Sequence, residues 1–447
     1  MRTLKHVAAC AVVAACTIVM SPAVDAAAEP DTIVVDDDGL QCADPDSDNI
    51  SEGVALAKAG DTVKVCPGVY REFVRVDRPL TVAGTPGAID ALDCFDPATS
   101  QMGDLDPATY AVLTRPADVE GDLLTVASGG VSVTGLVLEG AVTPATRVER
   151  IEDAAIRLLS GTAGARVHQN LIRHDSLGID LASDGSATTH VDHNCLRENR
   201  FGIAAQRQDF VGGVVEHNQT FQNTRIGYEV GDNFGSRQST YGLNVSRQDG
   251  IGFFVRNSEN VSIADNDIEP LTTGVQLASG NTNLRVTDNR IVGGTTAGVA
   301  FVPSATPGLT SRKALVAGND ISGFGRTPTG GIGIAVGSNA AGDPAVDGVK
   351  VMDNTLSHNG IGISVQLTNL GVRVHGNTST GNRQFGIRAQ RQVGTAFGAS
   401  FKDNVMLDNG SPDLATTADA FDNNRSANTW AGNVCERDIP VDTICGI

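Results

Sequence analysis

The chain has 447 residues, of which 40% are hydrophobic and only 4% aromatic, and its formal net charge is −19 at pH 7. A charge of this sign and size excludes a nucleic-acid-binding protein, because such proteins present a basic face to their ligand.

Residues 1–26 have the pattern of a secretory signal peptide. A basic start precedes an apolar run over residues 7–20, and small residues follow near residue 26. The run is too short to span a membrane, so we expect export and a secreted, extracellular protein. The segment that ends in Cys16 resembles a lipidation motif, which leaves a lipid-anchored protein at the cell surface as the alternative.

Residues 27–84 are predicted to form an N-terminal cap and the first repeating units. Residues 32–35 predict a strand, residues 50–59 predict a short amphipathic helix, and β-type runs return over residues 62–84. Seven aspartates between residues 31 and 48 make calcium a candidate cofactor. They lack the glycine and glutamate of an EF-hand loop, so a solvated acidic surface explains them equally.

Residues 85–120 are rich in Pro, Asp, Gly and Ala, and we expect an insertion there. Residues 121–427 repeat one pattern, in which an apolar triplet ends in Asn and a Gly before Ile or Val follows about eight residues later. Seven of the nine steps between the anchor asparagines span 22 to 27 residues, which is typical of a solenoid. Residues 428–447 are predicted as the C-terminal cap. The anchors are Asn170, Asn194, Asn218, Asn244, Asn266, Asn289, Asn319, Asn354, Asn377 and Asn404.

Each repeat contains two short runs with strict alternation. In Arg285-Val286-Thr287 an apolar residue lies between two polar ones, and in Gly362-Ile363-Ser364-Val365 every second side chain is aliphatic. Alternation places one set of side chains in a core and the other in solvent. Strands this short bury a face only when they stack about 4.8 Å apart into parallel sheets. A β-sandwich, the alternative, would require frequent hairpin turns, and few Asn-Gly signals are present.

The Asn and Gly-Ile pattern resembles the repeats of pectin-lyase-like proteins over about residues 31–435. That group includes polysaccharide lyases, glycoside hydrolases, epimerases and members without an assigned activity. The resemblance implies an all-β fold, a single-stranded right-handed parallel β-helix with a short N-terminal capping helix. The motifs of the family's polygalacturonases, pectate lyases and alginate epimerases are absent, so no catalytic residue is carried over.

Six cysteines follow the predicted signal peptide. An even number without a Cys-x-x-Cys pair in an exported chain predicts disulfides rather than a zinc site. Two of the favoured pairs lie at the two ends of the solenoid. The third would hold the insertion beside the histidine-rich coils, those that contain His168, His190 and His217. The favoured pairs are Cys42 with Cys66, Cys435 with Cys445, and Cys94 with Cys195.

Outward side chains of a β-helix form ladders with one rung per coil. Two positions before each anchor Asn, His168, Asp192 and Glu216 form consecutive titratable rungs about 4.8 Å apart. Two carboxylates at that separation fit a retaining glycoside hydrolase, and their proximity would raise one pKa. We therefore predict that Asp192 and Glu216 are catalytic and that His168, His190 and His217 bind substrate. An ordinary solvated sheet, in which these groups satisfy one another, is the alternative.

A second outward ladder follows the Gly-Ile pairs and carries Asp180 and Glu229. These residues would be two rungs, about 9.6 Å, apart, near the upper limit for an inverting pair. Their strip belongs to a different face and is a separate candidate for substrate binding. Tyr228 and Tyr241 are further candidates, because sugars stack on aromatic rings and the hydroxyl of each favours exposure.

These features predict a secreted protein that binds an extracellular polysaccharide and, as an enzyme, would cleave it as a lyase or glycoside hydrolase. One alternative is a non-catalytic surface or structural solenoid. Another is an accessory protein for an exported metalloenzyme.

Overall fold

The structure is a computed structural model in which residues Asp31–Ile447 form one compact unit. The predicted signal peptide and most of the predicted insertion at residues 85–120 lie outside the described residues. The described residues are 29–85, 94–95, 107–117, 119–140, 153–181, 189–206, 212–232, 238–278, 280–303, 309–325, 330–337, 346–366, 369–391, 398–411, 416–423, 427–440 and 444–445.

The described residues form one short helix and 45 short strands. The first part of the chain contains β1 (Thr32–Val35), α1 (Ile50–Leu56), β2 (Thr62–Val65), β3 (Gly68–Arg71), β4 (Val74–Val76), β5 (Thr81–Gly84), β6 (Ala111–Thr114), β7 (Leu124–Val126), β8 (Ser132–Thr134), β9 (Val137–Glu139), β10 (Ala154–Leu158), β11 (Arg166–His168), β12 (Leu171–Arg173), β13 (Leu177–Leu181), β14 (His190–Asp192), β15 (Cys195–Arg197) and β16 (Phe201–Ala205). The middle part contains β17 (Val214–Glu216), β18 (Gln219–Phe221), β19 (Ile226–Gly231), β20 (Ser239–Gly242), β21 (Val245–Arg247), β22 (Ile251–Arg256), β23 (Val261–Ala264), β24 (Asp267–Glu269), β25 (Thr273–Ala278), β26 (Arg285–Thr287), β27 (Arg290–Val292), β28 (Ala297–Val302), β29 (Ser311–Arg312), β30 (Leu315–Ala317) and β31 (Asp320–Ser322). The last part contains β32 (Ile332–Val336), β33 (Val346–Asp347), β34 (Lys350–Met352), β35 (Thr355–Ser357), β36 (Ile361–Gln366), β37 (Arg373–His375), β38 (Thr378–Thr380), β39 (Phe385–Gln390), β40 (Ser400–Lys402), β41 (Val405–Leu407), β42 (Ala418–Asp422), β43 (Thr429–Ala431), β44 (Val434–Cys435) and β45 (Asp438–Ile439).

Three long parallel sheets run along the solenoid. Sheet A contains β1, β2 and β5, then every third strand to β26, then β30, β34, β37, β40 and β43. Sheet B contains every third strand from β3 to β27, then β31, β35, β38, β41 and β44. Sheet C contains every third strand from β4 to β28, then β32, β36, β39, β42 and β45. The chain is therefore the right-handed parallel β-helix that the sequence predicts.

The core lies between the three sheets and is built from the inward residues of each strand. In sheet A, for example, Val167, Val191 and Val215 are successive partners in register, and all are fully buried. The same alternation turns the flanking residues of each triplet outward. The outward faces of the sheets are thus where functional side chains can meet a ligand.

A ladder of buried asparagine side chains fixes the corner between sheets A and B. Each Asn side-chain oxygen accepts hydrogen bonds from the backbone N–H and the amide of the Asn one coil earlier, as from Asn244 to Asn266 at 2.9 and 3.1 Å. The residue before an anchor adopts the left-handed backbone, as His193 and His217 do with φ of 55° each.

The N-terminal end of the core is covered by α1, as predicted, although the helix ends at Leu56. Asn49 caps it by accepting a hydrogen bond from the Glu52 backbone N–H at 2.8 Å. Ile50 and Val54 are buried in the core cluster, so the helix closes an end that would otherwise expose apolar strands. In the described part of the chain no helix has the length and apolar character of a membrane crossing.

Three disulfides join the pairs that the sequence favours. Cys42 is bonded to Cys66 near the N-terminal end, and Cys435 to Cys445 near the C-terminal end. The third bond joins Cys94, in the predicted insertion, to Cys195 on the outward face of sheet B. There the pair packs in a small apolar cluster with Val137 and other residues, separate from the main core.

Candidate functional site

The predicted ladder of titratable residues is present on the outward face of sheet A. His168, Asp192 and Glu216 are the last residues of β11, β14 and β17, and the register pairs His168 with Asp192 and Asp192 with Glu216. Neighbouring rungs of a parallel sheet are about 4.8 Å apart. The two carboxylates are therefore on adjacent rungs, with a histidine on the preceding rung.

Asp192 is held by two cationic or donor groups. The Arg166 guanidinium donates to both of its carboxylate oxygens at 2.9 and 2.8 Å, and His193 Nδ1 lies 2.9 Å from one of them. Burial raises the pKa of Asp192, but the hydrogen bonds from Arg166 and His193 outweigh it and hold the pKa below its ordinary value. Asp192 is therefore not the carboxylate whose pKa its neighbour raises, because a guanidinium is its nearest partner.

Histidines surround this pair on both sides. His168 places its two ring nitrogens 3.3 Å from Ser132 Oγ and 3.2 Å from Gln169 Oε1, and burial together with Arg166 lowers its pKa. The rings of His193 and His217 stack at a centroid distance of 4.8 Å, and both residues are exposed. His190, half-buried, is the register partner of Arg166. The structure therefore brings the three predicted histidines together with His193.

The second predicted strip, on sheet C, is not an accessible pair. Asp180 is only 2% exposed and forms an ion pair with Arg157. Glu229 is 5% exposed and accepts a hydrogen bond from Gln206 at 2.8 Å. Burial raises the pKa of Glu229, opposed by Gln206 and by a nearby arginine. The expectation of an open outward strip is wrong here, because partners and packing enclose both carboxylates.

Tyr228 and Tyr241 are both fully buried, so the prediction that they are exposed is wrong. Tyr228 continues the inward ladder of Ile203 and Phe253, and its ring stacks on Phe253 at 4.4 Å. Tyr241 follows the inward Val215 in register. The alternation of the strand places both tyrosines in the core, and this outweighs the preference of a hydroxyl for solvent. The Tyr228 hydroxyl is satisfied inside the core, where it donates a hydrogen bond to the Asn218 carbonyl at 3.0 Å.

The structure contains a charged cluster on sheet B that the sequence analysis does not predict. His174 lies between two carboxylates, with Nδ1 2.5 Å from Glu139 and Nε2 3.0 Å from Glu198. Arg173 bonds Glu139, and Arg197 bonds Glu198 at 2.7 Å. The residue at this corner varies from coil to coil, so no repeat signal marks the cluster in the sequence.

The acidic N-terminal segment brings three carboxylates close together. Oxygens of Asp36, Asp37 and Asp38, three of the seven aspartates behind the calcium prediction, lie within 4.8 Å of one another. Asp36 already accepts backbone hydrogen bonds from Gly39 at 3.2 Å and Cys42 at 2.6 Å. The structure thus shows a carboxylate that closes a loop, and calcium stays a prediction.

A family model described as "NosD: Periplasmic copper-binding protein (NosD)" matches residues 117–300. This range contains Asp192 and Glu216 but covers less than half of the chain. A search of curated proteins finds no match.

Several solved structures are similar along most of the chain, including a glucanase and an epimerase. The catalytic unit of a thermostable α-1,3-glucanase of family GH87 from Streptomyces thermodiastaticus is 16% identical with a TM-score of 0.53, over 89% of this chain and 66% of that chain. The A-module of a mannuronan C-5 epimerase from Azotobacter vinelandii is 16% identical with a TM-score of 0.49, over 87% of this chain and 94% of that chain. The glucanase shows that the β-helix fold is shared.

A preformed copper site is not evident in the described residues. Among the described residues, two groups of three His, Cys, Asp or Glu side chains have ligand atoms within 4.8 Å of one another, and both include Asp36. Neither group includes Asp192. One of them contains Cys42 and Cys66, which are joined in a disulfide. Copper prefers imidazole and sulfur donors over a carboxylate cluster. The carboxylates around Asp36 therefore do not suit copper.

Proposed function

We propose that the protein is exported and binds an extracellular polysaccharide along the outward face of sheet A. The observation that carries this proposal is the polar ladder of His168, Asp192 and Glu216 on a face that continues over 15 strands in the described chain. A long, regular face with one set of side chains per coil matches an extended polymer better than a compact ligand.

Two further observations support the proposal. The α-1,3-glucanase that shares the fold acts on a polysaccharide, according to its name. The three disulfides fit an oxidising compartment such as the cell exterior, to which the predicted signal at residues 1–26 would direct the chain.

We assign different roles to the two carboxylates for a cleavage reaction. Asp192 is kept ionised by Arg166 and His193, so it would stabilise positive charge that develops on a sugar ring. Glu216 is half-buried and has no ion pair with a described cation within 4.0 Å, so it is the group free to transfer a proton. His168 and His217 lie on either side and would hydrogen-bond sugar hydroxyls.

Binding to a glycan array followed by product analysis tests this function. We expect at least one polysaccharide to bind, and Glu216→Gln to retain binding while turnover falls by at least a hundredfold. Glu269→Gln, a half-buried glutamate on sheet B, is the matched control and should retain full turnover. An array without any bound glycan would contradict the proposal. Loss of turnover in Glu229→Gln but not in Glu216→Gln would move the reactive centre to sheet C.

The family match favours an accessory protein for a metalloenzyme as the second candidate, because its description is copper-binding. Copper titration of the purified protein separates the two functions. Stoichiometric binding with no glycan bound would favour the accessory role.

A further inference from the structure

Basic residues line the outward face of sheet A in the C-terminal half of the solenoid. Arg285, Lys350 and Arg373 are the first residues of β26, β34 and β37, and Lys402 ends β40. Lys313 lies two residues before β30, which is between β26 and β34. All five are exposed, and we call them the basic row.

Several arginines elsewhere in the described chain bind carboxylates. Other exposed arginines without such an ion pair, such as Arg71, Arg75 and Arg391, lie outside sheet A. In the basic row, no ion pair within 4.0 Å joins Arg285, Lys313, Lys350 or Arg373 to any carboxylate among the described residues, and Lys402 contacts only its neighbour Asp403 at 3.4 Å. In a chain with net charge −19, unpaired cations gathered on one face are available to an external anion.

The outward positions of these strands contain no acidic residue to neutralise the row. Between the cations lie Thr287, Ala317, Met352 and His375. The nearest repeated carboxylates, such as Asp288 and Asp353, sit in the turns after the strands, whereas Arg285 and Lys350 stand at the strand starts. Apart from Lys402, which ends its strand beside Asp403, the positive strip and the acidic edge therefore run in parallel along opposite borders of the sheet.

A shallow groove of about 450 Å³ follows the row at the strand starts. Arg285, Lys313 and Lys350 line it together with Leu315 and Met352. Cations beside apolar side chains suit a sugar acid, because the ring presents C–H groups to the floor while its carboxylate meets a guanidinium or ammonium.

We propose that the basic row binds the carboxylates of an acidic polysaccharide that extends along sheet A. This inference rests on the proposed function and names the class of its glycan. Successive coils advance by about 4.8 Å, comparable to the length of one sugar unit, so successive cations can meet successive uronate residues. A nucleic acid is disfavoured, because these outward positions contain no Phe, Tyr or Trp on which bases could stack.

The row continues the face that contains the Asp192 and Glu216 ladder. From β17 the order of sheet A passes β20 and β23 to reach β26, so Arg285 is three rungs, about 14 Å, beyond Glu216. One extended chain could therefore occupy the row and reach Glu216. The row would hold the polymer and set its register without contact with the reacting bond.

The triple variant Arg285→Gln, Lys350→Gln, Arg373→Gln tests the proposal. The matched control is Arg71→Gln, Arg75→Gln, Arg391→Gln, which removes the same charge from exposed residues outside sheet A. The probes are polygalacturonate, alginate and hyaluronate, each compared with its carboxyl-reduced form, and a single-stranded DNA.

We expect wild type to bind at least one uronate polymer at low salt and to lose at least tenfold in affinity for its carboxyl-reduced form. The triple variant should bind the acidic polymer at least tenfold more weakly with a smaller salt dependence, whereas the control variant should change by less than twofold. Thermal melting should be the same for all three proteins. Equal binding of the acidic and carboxyl-reduced forms, or an unchanged triple variant, would overturn the basic row while leaving polysaccharide binding intact. Binding of DNA without any glycan would overturn both proposals.

Discussion

At the scale of single residues, the clearest electrostatic device is the contact of His174 with two glutamates. The hydrogen bonds that His174 donates to Glu139 and Glu198 raise the pKa of His174 to about 9. The bond from His174, together with Arg197 and against the effect of burial, lowers the pKa of Glu198 to about 2. The folded state therefore prefers a protonated His174 and an ionised Glu198 at neutral pH. A pH dependence of stability follows from this preference.

We predict that stability falls as the pH rises from 6.5 to 9. The pKa of His174 is about 9 in the fold and 6.5 ordinarily, so its contribution is complete below 6.5 and is lost as the pH passes through 9. The loss should be on the order of 2 kcal/mol. Denaturant unfolding at pH 6, 7.5 and 9.5 measures it, and in His174→Gln the curve should be flatter by that amount.

The control for this measurement is His358→Gln. His358 occupies a turn with the same left-handed backbone, φ 55° against 57° for His174, but is exposed and forms no ion pair with a carboxylate among the described residues. Its substitution should leave the pH dependence of wild type unchanged. If the free energy of unfolding changed with pH equally in wild type and His174→Gln, the contact of His174 with Glu139 and Glu198 would not contribute to the pH dependence of stability.

The sequence predicts which residues belong to the sheet A ladder but not which side chains they contact. Alternation and register predict that Asp192 and Glu216 are neighbouring rungs, because both follow from backbone geometry. The choice of Arg166 as the partner of Asp192 depends on side-chain reach and rotamer, which no repeat pattern encodes. The burial of Tyr228 was missed for the opposite reason, since the hydroxyl was given more weight than the alternation.

At the scale of the element, the Asn ladder is the main determinant of the coil. The Asn266 side chain accepts from the Asn244 backbone N–H and amide at 2.9 and 3.1 Å, and it donates to the Tyr241 carbonyl at 3.0 Å and to Asn289 at 2.8 Å. Asn266 is only 2% exposed, so water cannot replace these bonds. The regular spacing of the anchors is thus a hydrogen-bonding requirement, which is why the sequence predicts the fold so well.

We predict that Asn266→Ala lowers the free energy of unfolding by about 3 kcal/mol, because it leaves buried donors and acceptors without partners. Chemical denaturation measures the change. Thr355→Ala, an exposed outward residue of sheet B, should change stability by less than about 0.5 kcal/mol. A loss in Asn266→Ala no larger than in this control would contradict the role of the ladder.

At the scale of the whole molecule, sheet A unites the carboxylate ladder and the basic row on one face. The coil steps predict that such a face exists, but the predicted site ended at the histidine-rich coils. No regular sequence signal marks the whole basic row, because Lys313 and Lys402 occupy other positions in the repeat than Arg285, Lys350 and Arg373. The lack of ion pairs is visible only in three dimensions. Sheets B and C have less polar outward surface for a ligand, because apolar clusters cover parts of their outward faces.

Gly242 provides a direct way to obstruct this face. It follows Glu216 in register, and a Cβ at this position would meet only the Ala264 carbonyl oxygen at 3.4 Å and Thr240 at 3.9 Å. A large side chain should therefore project outward from the sheet without disturbing the core. Thr355→Trp places the same side chain on sheet B and is the matched control.

The binding of polysaccharide by Gly242→Trp tests the central claim most directly. We predict that this variant melts at the wild-type temperature and loses at least tenfold in affinity for the glycan that wild type binds, while Thr355→Trp retains wild-type affinity. Wild-type affinity in a folded Gly242→Trp protein would contradict the claim that the glycan lies along sheet A.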